Sequence, residues 1–482
     1  MAQSITQNTF YNVLLNLAAV VFPLITAPYV SRVLEPDGIG LFNFSNTYAG
    51  YFALVAMLGI PTYGVREVAK LKDDKEALSQ LISQLMSIAT ITTLVVSIIY
   101  ILTIVAIGQL SENNLIFLIA GFAIYLAPFK INWYYQGIED FGVITKVSLV
   151  VRTLSVICLF VFVREKDDLI IYVILSILGG VLANIWNFLR MWRMEIKPRF
   201  TLQGLKQHMS PLMILFASSI AVSIYTVLDT LMIGFIKDYE ETGYYTSAMH
   251  ISRIILSAVT SLSLVAVPRI SYYMKNRDYD NIDILVSKSF SVVSFLAFPT
   301  AIGMACIAPT FAPLFFGVKF VGSVIPMMIL SFLVIIIGFN NLTGTQILIG
   351  MGYDKYFLYS MLVGTLSNFI LNCILIPYMG AVGASIASII AEVLVLLVSG
   401  IMVLRKTSIR FEIKSSIIKN LIGSLSFIPF LLFLQQSLKG WTLVAVFVVG
   451  GSFIYLIIEM LLKCSALELL KTAILKKHKY ND

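Results

Sequence analysis

The sequence predicts an all-α polytopic membrane protein of about 14 transmembrane helices. They would form two pseudo-symmetric six-helix lobes plus two C-terminal helices. Three observations predict this. The 482-residue chain is 59% hydrophobic and only 12% charged, where soluble domains carry about 25% charged residues. Apolar runs of bilayer-crossing length recur from end to end. Lysine and arginine alternate between one set of connecting loops and the other.

Taken in order, the apolar runs fall at approximately 11–33, 41–61, 82–107, 115–135, 145–163, 169–189, 211–236, 245–268, 287–308, 323–349, 356–376, 381–403, 416–436 and 441–462. The first run is too long for the core of a signal peptide, and no Lys or Arg precedes it, so it reads as a retained span. The connecting segments are short, which leaves function to the bundle interior. The segment 66–78, "REVAKLKDDKEAL", mixes charges at helical spacing and reads as a solvated or surface-lying helix.

Loops 62–81, 136–146, 190–210, 269–288, 350–355 and 404–419, with the tail 463–482, hold 25 Lys and Arg, against about six in the opposite loops. The basic side is expected to be cytosolic, with both termini there. The alternation holds over all fourteen runs, which supports their number.

A faint repeat relates the halves. "LGIPTYG" (58–64) has a counterpart in "VAVPRIS" (265–271), and "YYQGIEDF" (134–141) in "ILIGMGYDKY" (347–356), offset by roughly 200–215 residues. Six spans separate each pair, so the halves share one orientation, the parallel type of repeat. The expected division is 1–203 for helices 1–6, 204–410 for helices 7–12, and 411–482 for helices 13–14 and a basic tail.

Several classes are disfavoured. No polar domain gathers the +8 net charge, so nucleic acid is not an expected partner. The four cysteines lie singly and the three histidines are scattered, so no metal or cofactor is expected. No catalytic constellation, phosphate-binding Gly loop or large outer loop appears, so the chain is not read as an enzyme. Gly350 and Gly352 read as a turn.

The informative residues are polar groups inside apolar runs, because a charge at mid-membrane costs about 2.5–3.5 kcal/mol on insertion scales. Arg152 stands about seven residues into the fifth span, roughly 10–12 Å deep at 1.5 Å per residue. It reads as a cavity-lining residue ahead of a snorkelling one. Lys130, near the end of the fourth span, either snorkels to the headgroups or lines an inward-facing mouth with Asn132. Asp229 and Arg253 sit at similar depth on a helical hairpin and could pair, with His250 on the Arg253 face. The alternatives there are polar glue between helices or a cationic wall.

Asn12, Asn16, Pro23, Thr26 and Pro28 give the first span a polar, bendable character, and Asn43 and Asn46 extend it into the second. Arg32 is either an interfacial arginine near Glu35 and Asp37 or one turned into a cavity mouth. Glu392 and Glu459 are lone carboxylates, each a candidate proton or sodium site. Glu459 lies near the cytosolic end, which favours a packing role.

The blocks "PLITAPYVSRVLEPDGIGLFNFS" (23–45), "LGIPTYGVREVAK" (58–70), "NWYYQGIEDFGVIT" (132–145), "VLDTLMIGF" (227–235) and "GYYTSAMHISRIILSAVTSLSLVAVPRIS" (243–271) resemble the Wzx-type polysaccharide flippases. These belong to the multidrug/oligosaccharidyl-lipid/polysaccharide exporter superfamily. The likeness covers at least the first 360 residues in register and the rest by topology. One departure is Glu35, where the family usually has glycine.

The resemblance implies a MATE-like fold around a central cavity. It implies that an undecaprenyl-diphosphate-linked oligosaccharide (an O-antigen, capsule, exopolysaccharide or teichoic-acid unit) passes from the inner to the outer leaflet of a bacterial cytoplasmic membrane by alternating access. The expected partners are that lipid-linked saccharide, membrane lipids and a downstream polysaccharide polymerase, with the chain itself monomeric. Arg32, Lys130, Arg152, His250 and Arg253 would meet the diphosphate, asparagines the sugars, and Asp229 or Glu392 an ion. The rivals are an ion-coupled multidrug exporter of the same fold and, less favoured, a membrane polysaccharide polymerase.

Overall fold

The computed structural model describes residues 5–194, 196–261, 263–407, 409, 413–464 and 466–467. Every regular element among them is helical. Eleven helices are long and apolar enough to cross a membrane, and a bent pair, Asn114–Tyr125 with Ala127–Gly137, makes a twelfth span.

Two of the eleven are long enough for two spans each and break internally. α1 (Ile5–Met57) has 53 residues and leaves helical geometry at Glu35 (φ 61, ψ 174). A straight helix of that length would run about 80 Å, against about 30 Å of hydrocarbon. Asp354–Lys406, also 53 residues, breaks at Gly380 (φ 52, ψ −127) just after Pro377. Counted as two spans each, they bring the total to a number compatible with fourteen.

The physical cause of the α1 break is local. Proline disfavours helical geometry in the residue before it, and Pro36 follows Glu35. The resulting φ/ψ is a region that only glycine occupies without strain. Glycine would sit there freely.

The chain packs as two compact units that divide between Thr242 and Gly243. The first contains α1, α2 (Ile60–Leu71), α3 (Lys75–Ala106), α4 (Asn114–Ala120), α5 (Phe122–Tyr125), α6 (Asn132–Gly137), α7 (Phe141–Phe162), α8 (Leu169–Arg193) and α9 (Lys206–Ile236). By packing, the seventh span therefore sits with this unit, where α9 lies against α1.

The segment "REVAKLKDDKEAL" is not one helix. It breaks after Leu71, and Asp74 caps α3 by accepting from the Glu76 and Ala77 N–H groups at 3.1 and 3.0 Å. A capping aspartate satisfies donors that a helix start leaves orphaned. On α2, Glu67 is held between Arg66 and Lys70, both at 2.9 Å.

α2 is the floor on which α6 rests. A Cβ on Gly64 would lie 2.4 Å from the Trp133 ring, and one on Gly137 would lie 2.6 Å from Val68. Gly137 serves close approach, and the positive φ of this segment falls on Glu139 (φ 60). The blocks 58–70 and 132–145 thus pack on each other.

The second unit contains α10 (Tyr239–Thr260) from Gly243 onward, α11 (Ser263–Lys275), α12 (Tyr279–Phe316), α13 (Val324–Ser331), α14 (Leu333–Asn340), a π-helical stretch (Asn341–Ile349), α15 (Asp354–Lys406), α16 (Ile413–Leu425), α17 (Phe427–Leu434) and α18 (Gly440–Leu461). The 38-residue α12 packs against α13, α14, α16 and α18. Gly352 (φ 80) closes the turn before α15, with the Tyr353 N–H donating to the Leu348 carbonyl at 2.7 Å.

A cationic cavity at the broken fourth span

The fourth span cannot run straight through "APFKINW". Pro128 removes a backbone donor and clashes with the preceding turn. The chain passes through a 3-10 turn at Ala127–Phe129, and Lys130 (φ −79, ψ 74) leaves helical geometry altogether. The bonds that remain are short-range, Lys130 N to Ala127 O at 2.9 Å and Ile131 N to Phe129 O at 2.9 Å. The two halves of the span meet at 42°. Non-helical backbone at membrane depth persists where it is buried in protein or lines a cavity, and this break lines one.

The cavity, about 620 Å³, lies wholly within the first unit. Lys130 and Asn132 reach it from the break, Arg152 and Ser155 from α7, Thr26 and Asn46 from the two halves of α1, and Tyr172, Ser176 and Asn184 from α8. Among the described residues, no Asp or Glu lines it. Neither Lys130 nor Arg152 forms an ion pair among the described residues. Two unpaired cations with no carboxylate in the described lining leave the wall positive, suited to an anion.

The wall around the cations is polar and small. Gly179 leaves room for Ser155, since a Cβ there would lie 2.8 Å from its hydroxyl oxygen. Gly180 faces open space. Asn132 is fixed from behind. Its Oδ1 accepts from Asn187 Nδ2 at 3.0 Å, and Tyr135 OH donates to the Asn187 carbonyl at 2.7 Å. Asn187 is 1% exposed, and its own Oδ1 is buried without a hydrogen-bond partner.

The remaining candidates lie elsewhere. Asn12 and Asn16 bond to each other at 3.4 Å on an exposed face outside the cavity lining. Asn43 is half-buried with a polar partner of its own. Arg32 is exposed and donates to the Pro28 carbonyl at 3.2 Å, while Glu35 pairs with Lys166 at 3.2 Å. Asp229 belongs to the first unit, and His250 and Arg253 to the second. His250 Nε2 is buried without a hydrogen-bond partner, and Arg253 is exposed with a polar partner.

Glu392 stands in a separate polar seam of the second unit. It is 8% exposed, and Asn340 Nδ2 donates to its Oε2 at 2.5 Å and to its carbonyl at 3.0 Å. Thr343 and Ser399 bond at 2.8 Å, Gln346 Nε2 donates to Ser263 at 2.8 Å, and the Ser263 hydroxyl meets Asn341. Asn340 Oδ1 and Gln346 Oε1 remain buried acceptors without partners. The π-helical stretch beside them offers some of these groups from one face, as π segments at functional sites often do.

Sequence reasoning missed the contribution of the sixth span. Its signal was present, because Ser176, Gly180 and Asn184 recur every four residues and Gly179 and Ala183 fill the same small stripe. The Asn340–Glu392 bond carried no local signal, since 52 residues separate the partners.

The comparisons agree with this architecture. A family model described as polysaccharide biosynthesis protein matches residues 5–274. A protein of Escherichia coli (strain K12), named as a candidate O-antigen transporter, is 23% identical over 398 residues, covering 81% of this chain and 95% of its own length. Among solved structures, the lipid II flippase MurJ in an inward closed conformation matches with a TM-score of 0.76 at 15% identity, over 94% of this chain and 98% of that one. An inward-facing multidrug-resistance MATE transporter of the MOP superfamily matches with a TM-score of 0.61 at 15% identity, over 81% and 96%. At that identity the two structures establish the fold alone. The family match spans more than half of the chain, and this multi-pass membrane protein belongs to the polysaccharide biosynthesis protein family.

Proposed function

We propose that the chain flips an undecaprenyl-diphosphate-linked oligosaccharide from the inner to the outer leaflet of a bacterial cytoplasmic membrane by alternating access of its two lobes, 1–203 and 204–410. The observation that carries this reading is the cavity of the first unit, with Lys130 and Arg152 unpaired and no carboxylate in its lining. A diphosphate takes charge-assisted hydrogen bonds from such cations. The Asn, Ser, Thr and Tyr groups of the same wall suit sugar hydroxyls. The family match supports a role in polysaccharide biosynthesis, and the name of the E. coli relative supports a saccharide cargo.

In this reading both termini are cytosolic, on the lysine-rich side, and a polymerase consumes the cargo after it crosses. The protein acts as a monomer and transports rather than catalyses. Glu392, with the buried acceptors of Asn340 and Gln346, is the candidate ion-coupling group.

A multidrug exporter of the same fold is the second reading. Organic-cation cargo would call for a carboxylate in the cavity, and the lining of this one has none. Deletion of the gene in its native host separates the two. The flippase reading expects lipid-linked repeat units to accumulate on the cytosolic leaflet and surface polysaccharide to vanish. Unchanged polysaccharide together with new drug sensitivity would favour the exporter.

A further inference from the structure

A second cavity, about 370 Å³, opens between the start of α7 and the end of α8. It shares no lining residue with the first. Lys146 reaches it from α7 and Arg190 from α8. Neither forms an ion pair among the described residues, and the other contact of the Lys146 ammonium is with the Tyr11 ring, 5.9 Å from its centroid.

The helix end adds to the charge. α7 runs for 22 residues, and Asp140 at its N-cap makes no side-chain cap bond, so the first-turn N–H groups lack that acceptor. Asp140 lines the same cavity but already has a polar partner. Gly142 puts no side chain over the helix end. Two exposed cations and a helix N-terminus therefore line one volume with a single carboxylate, Asp140, which leaves it net positive and favourable to an anion.

The surroundings indicate which anion. Val143 and Met194 give the cavity an apolar side. Leu189 and Trp192, on either side of Arg190 in the chain, are 47% and 49% exposed, as residues facing lipid are. Tryptophan concentrates at the membrane–water interface. The loops at this end, 136–146 and 190–210, are on the lysine- and arginine-rich side of the chain. Basic pockets between spans on that side bind anionic headgroups.

We infer that the Lys146–Arg190 cavity binds the phosphate of an anionic membrane phospholipid, seated as a resident lipid and separate from any transported cargo. The inference does not depend on the proposed transport function. Its failure would leave that reading untouched, because the two cavities have no residue in common.

Native mass spectrometry of the full-length protein, released from nanodiscs with equal phosphatidylglycerol and phosphatidylcholine, tests it. Wild type should retain at least one phosphatidylglycerol in clear excess over phosphatidylcholine. The double variant Lys146→Gln/Arg190→Gln should lose at least tenfold of that retention. Lys146→Arg should keep it, and so should Lys439→Gln, a charge removal in an opposite loop. Equal retention of the two lipids by wild type overturns the site whether or not the double variant folds. So does undiminished retention in a folded double variant. A third arm adds millimolar inorganic phosphate to the lipid-bound protein. Displacement of the bound lipid would assign the site to free phosphate and contradict the lipid assignment, whereas continued retention supports it.

Discussion

Asn187 Nδ2 donates to Asn132 Oδ1 at 3.0 Å, tying the broken fourth span to α8 and fixing the amide that borders Lys130 in the cavity. Replacing Asn187 by Leu removes one hydrogen bond worth about 1 kcal/mol and also removes a buried acceptor that lacks a partner. The two effects oppose each other, so the melting temperature should move little. Export should still fall several-fold, because Asn132 loses its support. Thermal melting in detergent and quantified surface polysaccharide measure the two sides, and unchanged export would show that Asn132 needs no positioning.

Gly64 and Gly137 admit no side chain. Alanine at Gly64 meets Trp133 at 2.4 Å, and at Gly137 it meets Val68 at 2.6 Å. Overpacking of this kind costs about 1–3 kcal/mol. Gly180 borders the main cavity with nothing within 4 Å of its added Cβ, so Gly180→Ala should melt like wild type. Equal melting of all three variants would contradict the packing described.

Glu35 stands at φ 61, ψ 174, a conformation that costs a non-glycine residue about 1–3 kcal/mol. Glycine there relieves the strain. Against this, it loses the Lys166 pair, worth about 0–1 kcal/mol at the surface, and about 0.5–1 kcal/mol of chain entropy. The strain term is the larger. Glu35→Gly should therefore be stabilising by about 1 kcal/mol, raising the melting temperature by about 2 °C. Glu35→Ala should give no such gain.

Burial pushes the Glu67 carboxyl up, but hydrogen bonds from Lys70 and Arg66 hold it below the usual value overall. A depressed folded-state value means that the carboxylate stabilises the fold above its unfolded value, and that this contribution is lost as pH falls through the folded one. The melting difference between wild type and Glu67→Gln should be largest near neutral pH and shrink below about pH 4. A difference that stayed constant with pH would assign the effect to packing.

Glu392→Gln keeps a carbonyl oxygen for Asn340 and removes the charge, so folding should survive. Glu392→Leu leaves the Asn340 Nδ2 donor with only the backbone carbonyl, at a cost of about 1–3 kcal/mol. If Glu392 couples an ion, the Gln variant should transport without responding to a collapsed ion gradient. A gradient response equal to that of wild type would remove Glu392 from that role.

Much of the fold was legible because the membrane imposes it. Span length and the Lys/Arg bias are summed over whole segments, so individual residues matter little. The gaps between apolar runs at 34–40 and 377–380 coincide with the breaks at Glu35 and Gly380, whereas the fourth run read as unbroken and its break at Pro128–Lys130 needed coordinates. The site was less legible. Lys130 and Arg152 stood out as charges inside apolar runs. That they share a cavity depends on α7 crossing close to the break, a tertiary fact without local sequence signature. Asn12 and Asn16 carried the same polar signal yet bond to each other outside that cavity. Polarity in a span marks a group that needs a partner, and the sequence does not say which partner it finds.

The most direct test is leaflet translocation in proteoliposomes. An undecaprenyl-diphosphate-linked oligosaccharide would be placed in one leaflet, and its arrival in the other read by a membrane-impermeant lectin. Wild type should move it. The Lys130→Ala/Arg152→Ala variant, folded and equally incorporated, should be slower by about tenfold or more, since each lost charge-assisted bond is worth about 1.5–3 kcal/mol. Translocation at the wild-type rate in that variant, or none by the wild type, would contradict the cavity's assignment to the cargo diphosphate.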